Sequence, residues 1–179
     1  MTFRTLADAF LSEQILPIEV NSVLDWIKQN TDHKEITLHG VERDNKAYRG
    51  AFRRKAIPSG MPYSHEYDII TQILYGIDLP EEWKRLVIVK EALHVFDPEG
   101  SCVVTPESLR QLIPAIISRE LGAPFIPALN DHFGAFKAMA VMLPRHARNK
   151  LGKAIEDGSR TVQEVAHFVR LPEAFVDIP

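Results

Sequence analysis

The sequence predicts an α+β domain, on three observations. Strand-like stretches fall in one central block, helical periodicity occupies both flanks, and no strand–helix–strand alternation links them. With 179 residues the chain can build one sizeable core and not comfortably two, so a single domain over 1–179 is expected. Apolar residues at 45% and charged residues at 25% are ordinary globular proportions.

The helices come first, over residues 1–30. Leu6, Ala9, Phe10 and Glu13 outline a short one. A second is expected from Pro17, because proline at the first helical position loses no hydrogen bond. Val20, Val23, Leu24 and Ile27 carry its apolar period.

The β-rich block spans 35–75. Ile36 and Leu38 alternate with Thr37 and His39, and Asp44-Asn45 offers a turn before Ala47 to Phe52, which together predict a hairpin. Arg53-Arg54-Lys55 to Pro62 reads as a basic loop with Pro58-Ser59-Gly60 at its tip. Tyr67 to Leu74 is ambiguous between strand and helix, since Ile69-Ile70 and Ile73-Leu74 suit either.

From Pro80 onward the pattern is helical, with the site helices expected over 80–143 and a C-terminal helical subregion over 145–178. A helix opening at Pro80, with Glu81 and Glu82 in its favourable first turn, runs to Phe96 and stops at Asp97-Pro98-Glu99-Gly100. Thr105-Pro106-Glu107 starts another that continues to Leu121-Gly122, kinked at Pro114. A third extends from Asn130 or Asp131 to Leu143, and a fourth from Arg145 to Asp157 with Gly158 as its stop. Thr161 and Glu164 form a capping box ahead of Val165, Phe168 and Val169, and a short last helix after Leu171-Pro172 carries Phe175 and Ile178.

Composition excludes several functions. A net charge of −3 gives no reason to expect nucleic acid, and the basic cluster Arg145, His146, Arg148, Lys150 and Lys153 is interspersed with Glu156 and Asp157, as a solvated face would be. The Thr161–Ile178 stretch has a helix-turn-helix shape, but its second helix is too short and too poor in polar contacts to read a groove. Cys102 is the lone cysteine and cannot form an internal disulfide, which makes the cytoplasm the default expectation. The opening MTFRTLADAFLSEQ lacks the apolar run of a signal peptide, and Lys90 and Glu91 interrupt the richest apolar stretch, so no membrane partner is expected. Phosphate-binding glycine loops and the Gly-x-Ser-x-Gly elbow are both missing.

One segment carries a chemical signal. Lys90-Glu91-Ala92-Leu93-His94 places residues 90 and 94 on one helix face with Glu91 beside them. Zinc peptidases use this geometry for two ligands at i and i+4 with an adjacent Glu as general base. Leu86, Val89, Leu93 and Phe96 form a core-facing stripe, which puts the polar trio at one edge of the buried face. The bland reading is a polar edge with Lys90 and His94 solvated.

A second segment, Asp131-His-Phe-Gly-Ala-Phe-Lys-Ala-Met-Ala-Val-Met-Leu-Pro144, lies downstream. Together the two segments resemble the ImmA/IrrE family of intracellular zinc-peptidase-like domains, which pairs His-Glu-x-x-His on one helix with a third ligand opening a later helix. The resemblance covers roughly residues 30–178 in element order and implies a zincin-like fold. It implies that His94 matches the second metal-ligating His, Glu91 the catalytic Glu and Asp131 the third ligand, with Gly134 at a small-residue position and Met142-Leu143-Pro144 closing the segment. It also implies a regulatory role, with a DNA-associated partner.

The departure is Lys90, which stands where the family has its first ligand. A protonated lysine has no lone pair to give a metal, and Asp131 is one methylene shorter than Glu. What remains, His94 and Asp131, is one ligand short of the three that a catalytic zinc needs. Three readings follow. In the first, the chain is a pseudoenzyme without cofactor that binds or regulates a protein or peptide, with Lys90, Glu91, His94 and Asp131 as a charged cluster in the old cleft. The second is an active zinc peptidase using His94, Asp131 and an unidentified third ligand such as His132 or His65, with Glu91 as base. The third has no site in this cleft and works through homo-oligomer surfaces.

Overall fold

The computed structural model describes residues 1–13, 15–42, 49–58, 67–98 and 126–176, with the side chains of 56, 58, 67, 68 and 126–132 outside the description. Among these residues the chain runs α1 (Phe3–Phe10), α2 (Val20–Asn30), β1 (Glu35–Val41), β2 (Gly50–Pro58), β3 (Tyr67–Gly76) and α3 (Glu81–Ala92) with a 3-10 turn, Leu93–Phe96. It continues with α4 (Ile126–Met142), α5 (Arg145–Glu156), α6 (Val162–Val169) and α7 (Glu173–Val176). The α+β class is therefore as expected. The helix expected over Thr105–Leu121, Cys102, His65 and the Asp44-Asn45 turn lie outside the described residues.

The sheet order is β1-β3-β2, which overturns the expected β1–β2 hairpin. β3 is central, parallel to β1 with Glu35 opposite Ile70, and antiparallel to β2 with Gly50 opposite Tyr75. The physical reason lies in composition. Tyr67–Gly76 carries apolar residues on both faces, Ile69, Ile73 and Tyr75 on one and Ile70 and Leu74 on the other, so it suits the centre, whereas the more polar β1 and β2 suit edges. The ambiguous 67–74 stretch is thus a strand, extended to Gly76. The expected basic loop begins as strand: Arg53, Arg54 and Lys55 belong to β2, with Arg53 and Lys55 exposed and Arg54 half-buried between them, as a period of two requires.

Helix α2 starts at Val20 rather than Pro17, and the Leu16–Pro17 peptide bond is cis. Residues 18 and 19 are held outside the helix by Arg85 of α3. Its Nη2 donates to the Ile18 carbonyl at 2.6 Å, its Nη1 meets the Glu19 carboxylate at 3.3 Å, and its Nε donates to the Arg170 carbonyl at 3.3 Å. Arg85 is 4% exposed. A guanidinium so buried persists because its fork is filled, and here it ties the N-terminal segment and the end of α6 to the central helix.

Local chemistry sets the C-terminal helices as the sequence implies. Thr161 accepts from the Glu164 amide at 3.1 Å while the Glu164 carboxylate accepts from the Thr161 amide at 2.8 Å, a complete capping box. Gly158 follows α5 with φ +74°, the left-handed conformation that glycine adopts without penalty. Helix α4 begins at Ile126, earlier than expected, and ends at Met142. The basic residues of α5 are exposed. The core joins Leu6 and Phe10 of α1, Val23 and Ile27 of α2, Ile73 of β3, Leu86 and Val89 of α3, Val141 and Met142 of α4, and Val165 and Val169 of α6. Among the described residues no helix is long and apolar enough to cross a membrane.

Candidate functional site

The site is built where α3 ends. After Ala92 the backbone tightens into the 3-10 turn Leu93–Phe96, with the Leu93 amide shared among the Val89, Lys90 and Glu91 carbonyls and Asp97 closing the turn. A 3-10 turn advances about 120° per residue against about 100° in an α-helix. His94 is therefore rotated further from Lys90 than the i, i+4 spacing of one continuous helix implies.

Glu91 is the centre of the cluster and is 3% exposed. Its Oε1 accepts from Lys90 Nζ at 3.1 Å and its Oε2 lies 3.6 Å from His94 Nε2. Glu91 thus lies inside the buried face, while Lys90 and His94, both half-buried, stand at its edge. Arg85, Val87, Ile88, Glu91 and Ala92 are buried along with the Leu86, Val89 and Leu93 stripe, because α3 packs against the sheet and against α2 and α4 at once. A carboxylate so desolvated needs cationic or hydrogen-bonding neighbours, and Lys90 supplies one.

Lys90 is half-buried, its stem passing over Gly134 of α4. A Cβ at 134 would lie 3.1 Å from Lys90 Cγ and 3.2 Å from Cε, so the missing side chain makes room for the lysine stem. Position 131 is three residues earlier on the same helix and shares the Gly134 face by its period. The side chains of Asp131 and His132 lie outside the described residues.

Three contributors were missed in the sequence. Asp97, read there only as a helix stop, is buried with its Oδ2 2.7 Å from His94 Nδ1. Lys137 of α4 brings Nζ to 3.6 Å from Asp97 Oδ1. Burial alone pushes the Asp97 carboxyl up, but the hydrogen bond and charge of His94, together with Lys137, outweigh it and hold the group below its ordinary range. Arg54 reaches in from β2, with Nη2 donating to the His94 carbonyl at 2.9 Å and to that of Val95 at 3.4 Å. The His94-x-x-Asp97 spacing and the period-two placement of Arg54 were the only local signals for these residues.

Lys90 presents an ammonium at the first ligand position and directs it to Glu91, while the free edge of His94 also faces Glu91. Among the described residues no three His, Cys, Asp or Glu side chains converge as a metal site. The arrangement can hold buried charge in balance, with Glu91 between Lys90 and His94 and Asp97 between His94 and Lys137. Compared with protein-family models and with curated proteins, the chain matches none of them.

Proposed function

We propose that this chain is a metallopeptidase-like domain of the ImmA/IrrE type that binds or regulates a protein or peptide partner in the cytoplasm instead of hydrolysing one. In this reading the Lys90 ammonium takes over the charge of the lost metal and keeps the old cleft structured. One observation carries it: Lys90 Nζ lies 3.1 Å from the buried Glu91 Oε1, the carboxylate that would serve as general base in an active member. A base engaged by a neighbouring cation is poorly placed to activate water, whereas a neutralised cluster stabilises a binding surface without metal.

Metal analysis of the purified protein tests the proposal. The expected content is well under one zinc per chain. Stoichiometric zinc that survives dialysis against a mild chelator overturns the reading and points to a working hydrolase.

A further inference from the structure

Two buried polar groups, His33 and Thr71, lie behind the cluster. His33 follows α2 and is 6% exposed, with Nδ1 2.6 Å from Thr71 Oγ1. In the antiparallel register Thr71 of β3 stands directly opposite Arg54 of β2. The Phe52 ring lies among all three groups: 6.5 Å from the His33 ring, 5.6 Å from the His94 ring and 5.3 Å from Arg54 Cζ. Arg54 donates through Nη2 to the Val95 carbonyl and to the His94 carbonyl, which also accepts from the Asp97 amide at 3.2 Å as the turn closes. Its Nε is buried and has no acceptor.

We propose that His33 and Arg54, set around the Phe52 ring, form a proton-sensitive bracket that controls how firmly the turn carrying His94 is held. This deepens the reading above as a regulation of the same site. Its test reads His33 and Arg54 rather than metal content, so the two can fail separately.

The charges around His33 define the response. Arg54 faces it from β2 and opposes protonation; Asp32, its chain neighbour, favours it; β3 places the neutral Thr71 hydroxyl against it; and at the end of α3 the His94 ring lies beyond Phe52. Burial first, then Arg54, hold His33 below its ordinary value of 6.5. Near neutrality His33 is uncharged and Arg54 stays on its carbonyls. A proton on His33 adds a buried cation near the half-buried Arg54 guanidinium, whose Nε has no acceptor among the described residues. Like charges in a partly desolvated site repel, and the guanidinium, on a longer and more flexible side chain than the imidazole, is the group that can move away. Arg54 then withdraws, the His94 carbonyl is left with the Asp97 amide alone, the Val95 carbonyl loses the guanidinium, and His94 loosens relative to Glu91 and Asp97.

Heteronuclear NMR of the full chain between pH 7.5 and 5 tests this. The expected result is that the Arg54 Nε–H signal and the amides of residues 94–97 shift in step with the His33 ring, at a midpoint below 6.5. In His33→Gln, which keeps a partner for Thr71 without a titratable ring, that step disappears. If residues 94–97 follow the same pH course in His33→Gln as in the parent, the proposal is overturned. Arg54→Gln removes the opposing charge and should raise the His33 midpoint. An unmoved midpoint also overturns the coupling, even if His33→Gln fails to fold.

Discussion

Gly50 of β2 lies against Glu91 of α3: a Cβ on the glycine would stand 2.9 Å from Glu91 Cγ, 3.0 Å from its Oε1 and 2.4 Å from Val87 Cγ1. The strand thus approaches the helix at a distance that only a missing side chain permits. Gly50→Ala is expected to lower stability by about 1–3 kcal/mol, the usual cost of overpacking. Chemical denaturation measures it, and a midpoint equal to the parent's would show that strand and helix are not in contact there.

Lys90→Met removes a cation from a buried carboxylate while keeping the apolar stem that covers Gly134. An unsatisfied buried acceptor costs about 1–3 kcal/mol. The cost stays short of the ~3–5 kcal/mol of a buried pair broken outright, because His94 remains 3.6 Å from Glu91. A melting temperature unchanged in Lys90→Met would mean that the lysine is solvated and the charge cluster has no energetic content.

Asp97 gives the cluster an acid limit. Its folded carboxyl is held below the ordinary range, so its contribution to stability is full above the unfolded value of about 4. That contribution is lost as the pH falls through the lower folded value. Asp97→Asn should therefore narrow the gap in stability between pH 6 and pH 3. Parallel stability–pH curves for parent and variant would remove Asp97 from the linkage.

How much of this was legible depends on the range of the interactions. Thr161 and Glu164 sit within one turn, and capping chemistry at that range is written in four consecutive residues. The strand order was not legible, because β1 reads as a hairpin partner of β2 on local turn chemistry. Its actual partner is β3, chosen by the burial of Ile73 and its neighbours against α3. Lys90, Glu91 and His94 were found together because a helix brings near neighbours onto one side. The change to a 3-10 turn at Leu93 was invisible, since it is stabilised by Arg54 from a strand and by Asp97 with Lys137 from another helix. Arg54 itself carries no local mark beyond alternation with two exposed basic residues.

The structure adds one element to the question of whether zinc binding can be rebuilt. Lys90→His with Asp131→Glu supplies the ligand types of an intact His-Glu-x-x-His site. A ligating histidine usually donates its other N–H to a carboxylate, carbonyl or water that fixes the ring, and Asp97 already meets His94 Nδ1 at 2.7 Å. The double variant should therefore take up more zinc than the parent, with a melting temperature that rises with zinc concentration. The turn at Leu93–Phe96 must relax toward α-helical spacing for residues 90 and 94 to converge, so amide signals of these residues should shift on titration. Adding Asp97→Asn to the double variant should weaken zinc binding by about 10–100-fold. If the folded double variant takes up no zinc, positions 90, 94 and 131 do not point to one centre, and the ImmA/IrrE resemblance is coincidental. If zinc binds but Asp97→Asn leaves the affinity unchanged, the centre exists and Asp97 serves the turn alone.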